Sequence, residues 1–108
     1  MLVRPGLLVR APLAAPSITG ITPTYVSGTT ISVEWTGNNM PFGVTYKLIW
    51  TISTPYTGGT GGGTINGAVS PQNAVADIYT GGTGSFTVEA YNGLTLIATA
   101  NYTGIILT

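Results

Sequence analysis

Neither cysteine nor histidine occurs in these 108 residues, and acids and bases number three each, so only 6% of the chain is charged. Without cysteine no disulfide can staple a fold, and stability has to come from core packing and backbone hydrogen bonds. Without either residue, the usual general base, the thiol nucleophile and nearly all transition-metal ligands are missing. The scarcity of charge removes further classes. Arg4, Arg10 and Lys47 are too few and too scattered to neutralise a run of phosphates, so nucleic acid is not an expected partner. No apolar run reaches the roughly 20 residues of a membrane span, because Arg4, Pro5, Arg10 and Pro12 break the one candidate. Arg10 also lies where a signal peptide needs an unbroken apolar stretch, so no cleaved leader and no membrane insertion are expected.

The three acids, Glu34, Asp77 and Glu89, give little scope for paired-carboxylate chemistry, which needs two carboxyls about 5 to 9.5 Å apart. Strand alternation sends Glu34 and Glu89 to the outer faces of opposite sheets, leaving Glu34 and Asp77 as the only pair able to share a face. No Asp/Asn-rich ligand loop accompanies them, and they read as solvated strand residues. The expectation is no catalytic residue, no cofactor and no metal. The glycine run between Thr57 and Thr64 lacks the Gly-Lys-Ser/Thr of a phosphate-binding loop and reads as a plain loop.

What the chain does contain is nineteen threonines, sixteen glycines and many Val, Ile and Tyr residues, a composition suited to pleated strands and tight turns. No stretch has helical periodicity. From Pro16 onward short strands alternate with turn clusters, at about 16 to 22, 29 to 36, 44 to 52, 64 to 69, 74 to 79, 85 to 91 and 94 to 103. The second points Ile31, Val33 and Trp35 inward, and the third Val44, Tyr46, Leu48, Trp50 and Ile52. The sixth points Phe86, Val88 and Ala90 inward. Trp35 and Trp50 should be the two largest buried side chains. Asn92-Gly93 predicts a type I′ hairpin between the last two strands. Seven such strands predict an all-β, antiparallel sandwich over residues 16 to 108, preceded by an extended N-terminal arm over 1 to 15.

Ile31-Ser-Val-Glu-Trp35 resembles the second strand of fibronectin type III domains, and Tyr46-Lys-Leu-Ile-Trp50 their third. Phe86-Thr-Val-Glu-Ala-Tyr-Asn-Gly93 is similar to their sixth strand and the turn after it, with Phe86 standing where that family has a corner tyrosine. The resemblance spans roughly residues 16 to 103 and implies an immunoglobulin-like or fibronectin-type-III-like sandwich. In general character the chain is similar to the immunoglobulin-like domains of bacteriophage virions.

The arm is where a partner is expected. Leu2, Val3, Leu7, Leu8, Val9 and Leu13 are wrong for a solvated tail, and the chain has few acids to pair with Arg4 and Arg10. All eight residues are therefore assigned to contact with a neighbouring subunit. A second contact is suggested by the recurrence of Tyr56-Thr-Gly-Gly-Thr-Gly61 as Tyr79-Thr-Gly-Gly-Thr-Gly84, which would present Tyr56 and Tyr79 as a twinned surface. Zero net charge offers no electrostatic repulsion between copies, where small free domains usually carry a net charge of magnitude about 2 to 8. These readings point to a structural subunit of a virion, a capsid decoration or tail-associated protein, with other protein subunits and further copies of itself as partners. The alternative is a secreted or cell-surface module that binds protein, or carbohydrate stacked on its exposed tyrosines. Asn101-Tyr-Thr103 matches a glycosylation sequon but falls inside a predicted strand.

Overall fold

The computed structural model describes residues 14–53, 60–76 and 82–105. Every regular element among them is a strand: β1 (Ser17–Ser27), β2 (Thr30–Asn38), β3 (Thr45–Ser53), β4 (Thr60–Asn66), β5 (Gln72–Val75), β6 (Thr83–Asn92) and β7 (Thr95–Ile105). They form two antiparallel sheets, one in the order β1-β2-β5 and the other β4-β3-β6-β7. The architecture is the all-β sandwich expected.

Alternation accounts for the core. Ile31, Val33 and Trp35 of β2 are buried, as are Leu48, Trp50 and Ile52 of β3 and Phe86, Val88 and Ala90 of β6. Register aligns the two inner rows of the larger sheet, setting Leu48 opposite Val88 and Trp50 opposite Phe86. No polar or charged residue is buried among the described residues, so the core rests on apolar contact. The two tryptophans also tie the sheets together. The Trp50 indole N–H donates to the Val75 carbonyl of β5 at 3.1 Å. Trp35 meets the Tyr46 ring edge-on, with centroids 5.7 Å apart, a favoured aromatic geometry.

Beyond shifts of one or two residues at strand ends, three features differ from the sequence reading. The first strand does not stop at residue 22 but runs through Pro23 to Ser27. Proline is tolerated there because β1 is an edge strand, with one side making no ladder hydrogen bonds. Within it, the register slips by one residue between Thr19 and Thr22, around Gly20, whose φ is +68°. This bulge reverses the alternation. It lets both Ile18 and Ile21 contact the core although they are three apart, and it places Tyr25 opposite the buried Ile31.

The second difference is β4, which begins four residues and ends three residues earlier than predicted and includes Gly61, Gly62 and Gly63. The glycine run is thus partly strand, not a plain loop. Its cause is tertiary: a Cβ on Gly63 would lie 2.6 Å from the Trp50 ring, and one on Gly62 would lie 2.9 Å from the Trp50 carbonyl oxygen. The strand approaches Trp50 closely enough only without side chains.

The third is the final hairpin. Asn92 pairs with Thr95, so the two-residue loop is Gly93-Leu94 rather than Asn92-Gly93. Positive φ falls on Gly93 alone (65°), which is the glycine placement of a type II′ turn instead of type I′. The described part of β5 starts two residues earlier than predicted, with Ala74 buried and Ala76 packed against the core.

Candidate functional site

The strand order gathers three loops and the start of the described chain at one end of the sandwich. Thr45 pairs with Tyr91, Lys47 with Asn66, and Ser17 with Asn38. The β2–β3 loop, the β4–β5 connection, the β6–β7 turn and residues 14–16 therefore share that pole.

Each loop is held at its base and carries an apolar side chain at its tip. In the first, the Val44 N–H donates to the Pro41 carbonyl at 3.3 Å, and Gly43 takes φ +83°. That is the pattern of a type II turn with glycine at its third position. It places Phe42 at the corner, fully exposed. In the second, the Ala68 N–H donates to the Tyr46 carbonyl at 3.0 Å, and the Val69 N–H donates to Gln72 Oε1 at 3.2 Å. Ser70 Oγ accepts from the Trp35 N–H at 2.9 Å, replacing a ladder partner beyond the end of β5. Ala68 is buried beneath while Val69 stands 71% exposed. In the third, the II′ turn leaves Leu94 fully exposed. Single exposed apolar residues are ordinary on a protein surface. Here three fixed loop tips at one pole each carry one.

Two open clefts flank these tips. One, of about 580 Å³, lies between Ala14–Pro16, Asn39–Pro41, Asn92 and Ile97. The other, of about 370 Å³, lies between Trp35, Tyr46 and the 67–70 segment. Among the described residues, no charged side chain lines either cleft.

The two described acids, Glu34 and Glu89, lie on different sheets. Glu34 is exposed on the three-stranded sheet, whereas Glu89 lies on the four-stranded one, as strand alternation required. Glu89 is engaged by the Tyr91 hydroxyl, which donates to its carboxylate at 2.8 Å. That hydrogen bond, then partial burial and the carboxylate's charge, raise the Tyr91 pKa above the ordinary 10.0. A phenol with a raised folded-state pKa contributes stability below its unfolded pKa and loses that contribution as pH rises through the folded value. Asp77 lies outside the described residues.

The contact residues expected from sequence, Leu2, Val3, Arg4, Leu7, Leu8, Val9, Arg10 and Leu13 in the arm, likewise lie outside the described residues, as do Tyr56 and Tyr79. The structure nevertheless fixes two anchor points. The described chain begins at Ala14, on the rim of the 580 Å³ cleft. Ser53, Thr60 and Thr83, which bracket the segments holding Tyr56 and Tyr79, form one paired row at the opposite pole. Phe42, Val69 and Leu94 were not singled out from sequence. For Phe42 a signal existed, since Pro41-Phe42-Gly43 puts a large apolar residue in the middle of a turn sequence.

No protein-family model matches the chain, and comparisons with curated proteins and with solved structures found no match either.

Proposed function

We propose that this chain is a non-enzymatic structural subunit of a larger assembly, a virion protein of the capsid-decoration or tail-associated kind, attached through its N-terminal arm and the adjoining loop pole. The observation that carries this reading is the placement of Phe42, Val69 and Leu94, exposed on three pinned loops at the pole where the chain continues into the apolar residues 1–13. A low-charge surface and a net charge of zero suit a protein that works in contact with neighbours.

The strand order also supports the immunoglobulin-like and fibronectin-type-III-like resemblance. The second strand stands between the first and fifth, and the third, sixth and seventh are consecutive in the other sheet. Relative to the constant-type immunoglobulin arrangement, the fourth strand lies beside the third instead of in the first strand's sheet.

The test is to look for the chain in purified particles from its source and to measure rebinding of the purified protein to particles stripped of it. Deleting residues 1–15, or combining Phe42→Ser with Leu94→Ser, should weaken rebinding by roughly 100-fold or more while leaving a folded sandwich. Each fully buried apolar side chain is worth about 1.5–3 kcal/mol, and about 1.4 kcal/mol is a factor of ten. Particles that lack the chain, or variants that rebind like the parent, would overturn the assignment.

A further inference from the structure

A sandwich of two open sheets has four edges, and three of them here carry features that discourage pairing. β5 is only four residues long. β4 contains three successive glycines, which are poor strand formers. β1 is broken by two register irregularities and carries Pro23, which has no N–H to offer.

β7 carries none of these over most of its length. It is eleven residues long and contains no proline and no charged residue. Its one irregularity is the extra residue Ile97 near the hairpin, after which Ala98–Ile105 pairs with β6 without a break. β1 runs beside it on the other sheet, yet its ladder is made to β2. Among the described residues, no backbone hydrogen bond reaches the outer edge of β7. An edge of this kind is a ready template for another strand.

We propose that β7 is a self-pairing edge, joining β7 of a second copy antiparallel about a two-fold axis at Asn101. Two four-stranded sheets would thereby become one continuous sheet of eight strands. A two-fold interface requires the same surface on both partners, and antiparallel pairing sets residues directly opposite only when they share a face. Within the unbroken segment Ala98–Ile105, the stretch Ala98–Gly104 is centred on Asn101. Centring there sets Thr99 opposite Thr103 of the second copy, twice, and Ala100 opposite Tyr102. Threonine pairs and small-against-aromatic pairs both suit cross-strand positions. No like charges meet, because the strand has none. On β6 beside it, Thr87 Oγ1 donates to Asn101 Oδ1 at 2.6 Å and Thr103 Oγ1 donates to Ser85 Oγ at 3.3 Å, while Glu89, opposite Thr99 in that ladder, accepts from the Tyr91 hydroxyl. This pairing deepens the assembly reading by naming one contact, but it does not depend on the arm or the loop pole.

Sedimentation velocity of the full chain over a range of concentrations should show a dimer whose share grows with concentration. Because the chain has no cysteine, Asn101→Cys provides a single reporter that should give a covalent dimer on oxidation or with a short bismaleimide. Thr36→Cys, exposed on the other sheet, should not. Thr99→Lys with Thr103→Lys sets lysine against lysine twice and should weaken the dimer at least tenfold with the strand signal in circular dichroism retained. The matching Glu double variant should do the same, and mixing the two should restore a dimer. A monomeric parent, charge variants that dimerise like the parent, or a mixture that stays monomeric would overturn the β7 pairing. None of those results would touch attachment through the arm and loop pole, which the particle experiment tests separately.

Discussion

Replacing Trp50 with alanine should remove about 3–5 kcal/mol of stability, measured as a shift of the urea midpoint at unchanged slope. In a domain with no disulfide that is a large part of the usual 5–15 kcal/mol. Three losses combine at this site. The indole leaves a cavity in the buried row it shares with Leu48 and Ile52. The Val75 carbonyl loses the 3.1 Å bond from the indole N–H. The glycine face of β4 loses the ring it packs on. Trp35→Ala should fall in the same range, since Trp35 is 7% exposed and its ring packs edge-on against Tyr46. A Trp50 variant as stable as the parent would contradict the packing described for the core.

The second expected result runs against local preference. Glycine is a poor strand residue and valine a good one, so Gly63→Val on propensity alone should stabilise β4. In this fold it should instead cost about 1–3 kcal/mol, the usual penalty for overpacking. A Cβ at residue 63 would lie 2.6 Å from the Trp50 ring, itself fixed by its hydrogen bond to β5. Gly28→Ala, where nothing lies within 4 Å of an added Cβ, should be close to neutral. Placing Gly63→Val in a Trp50→Leu background should recover much of the loss. Coupling between directly contacting residues is typically about 0.5–3 kcal/mol. A stabilised Gly63→Val, or no coupling to residue 50, would mean that the glycines do not serve the indole.

What could be read ahead of the structure follows from which interactions are local. In β2, β3 and β6 the inner residues are large and alternate strictly, so period and hydrophobicity alone identified Ile31, Val33, Trp35, Leu48, Trp50, Phe86 and Val88 as core. The final hairpin was legible because Asn92-Gly93 is a strong local turn signal. Its type was not, because a one-residue shift in pairing decides whether Asn92 or Leu94 shares the loop with Gly93. The loop pole was scarcely legible, since Phe42, Val69 and Leu94 are far apart in sequence and meet at one end only through strand order.

The amino-acid sequence by itself determined the class of molecule. Alternating apolar residues with abundant threonine and glycine admit only strands, and the lack of cysteine, histidine and charge limits the chemistry whatever the fold. The tertiary structure decided the rest. It turned a glycine-rich stretch into a strand, because Trp50 occupies the space its side chains would need. It carried β1 through a proline, because an edge strand has one side free of ladder bonds. It left β7 as an edge strand whose stretch Ala98–Ile105 pairs with β6 without a bulge. Each of these depends on what lies across a sheet or between two sheets, and contacts between residues distant in sequence have no local signature.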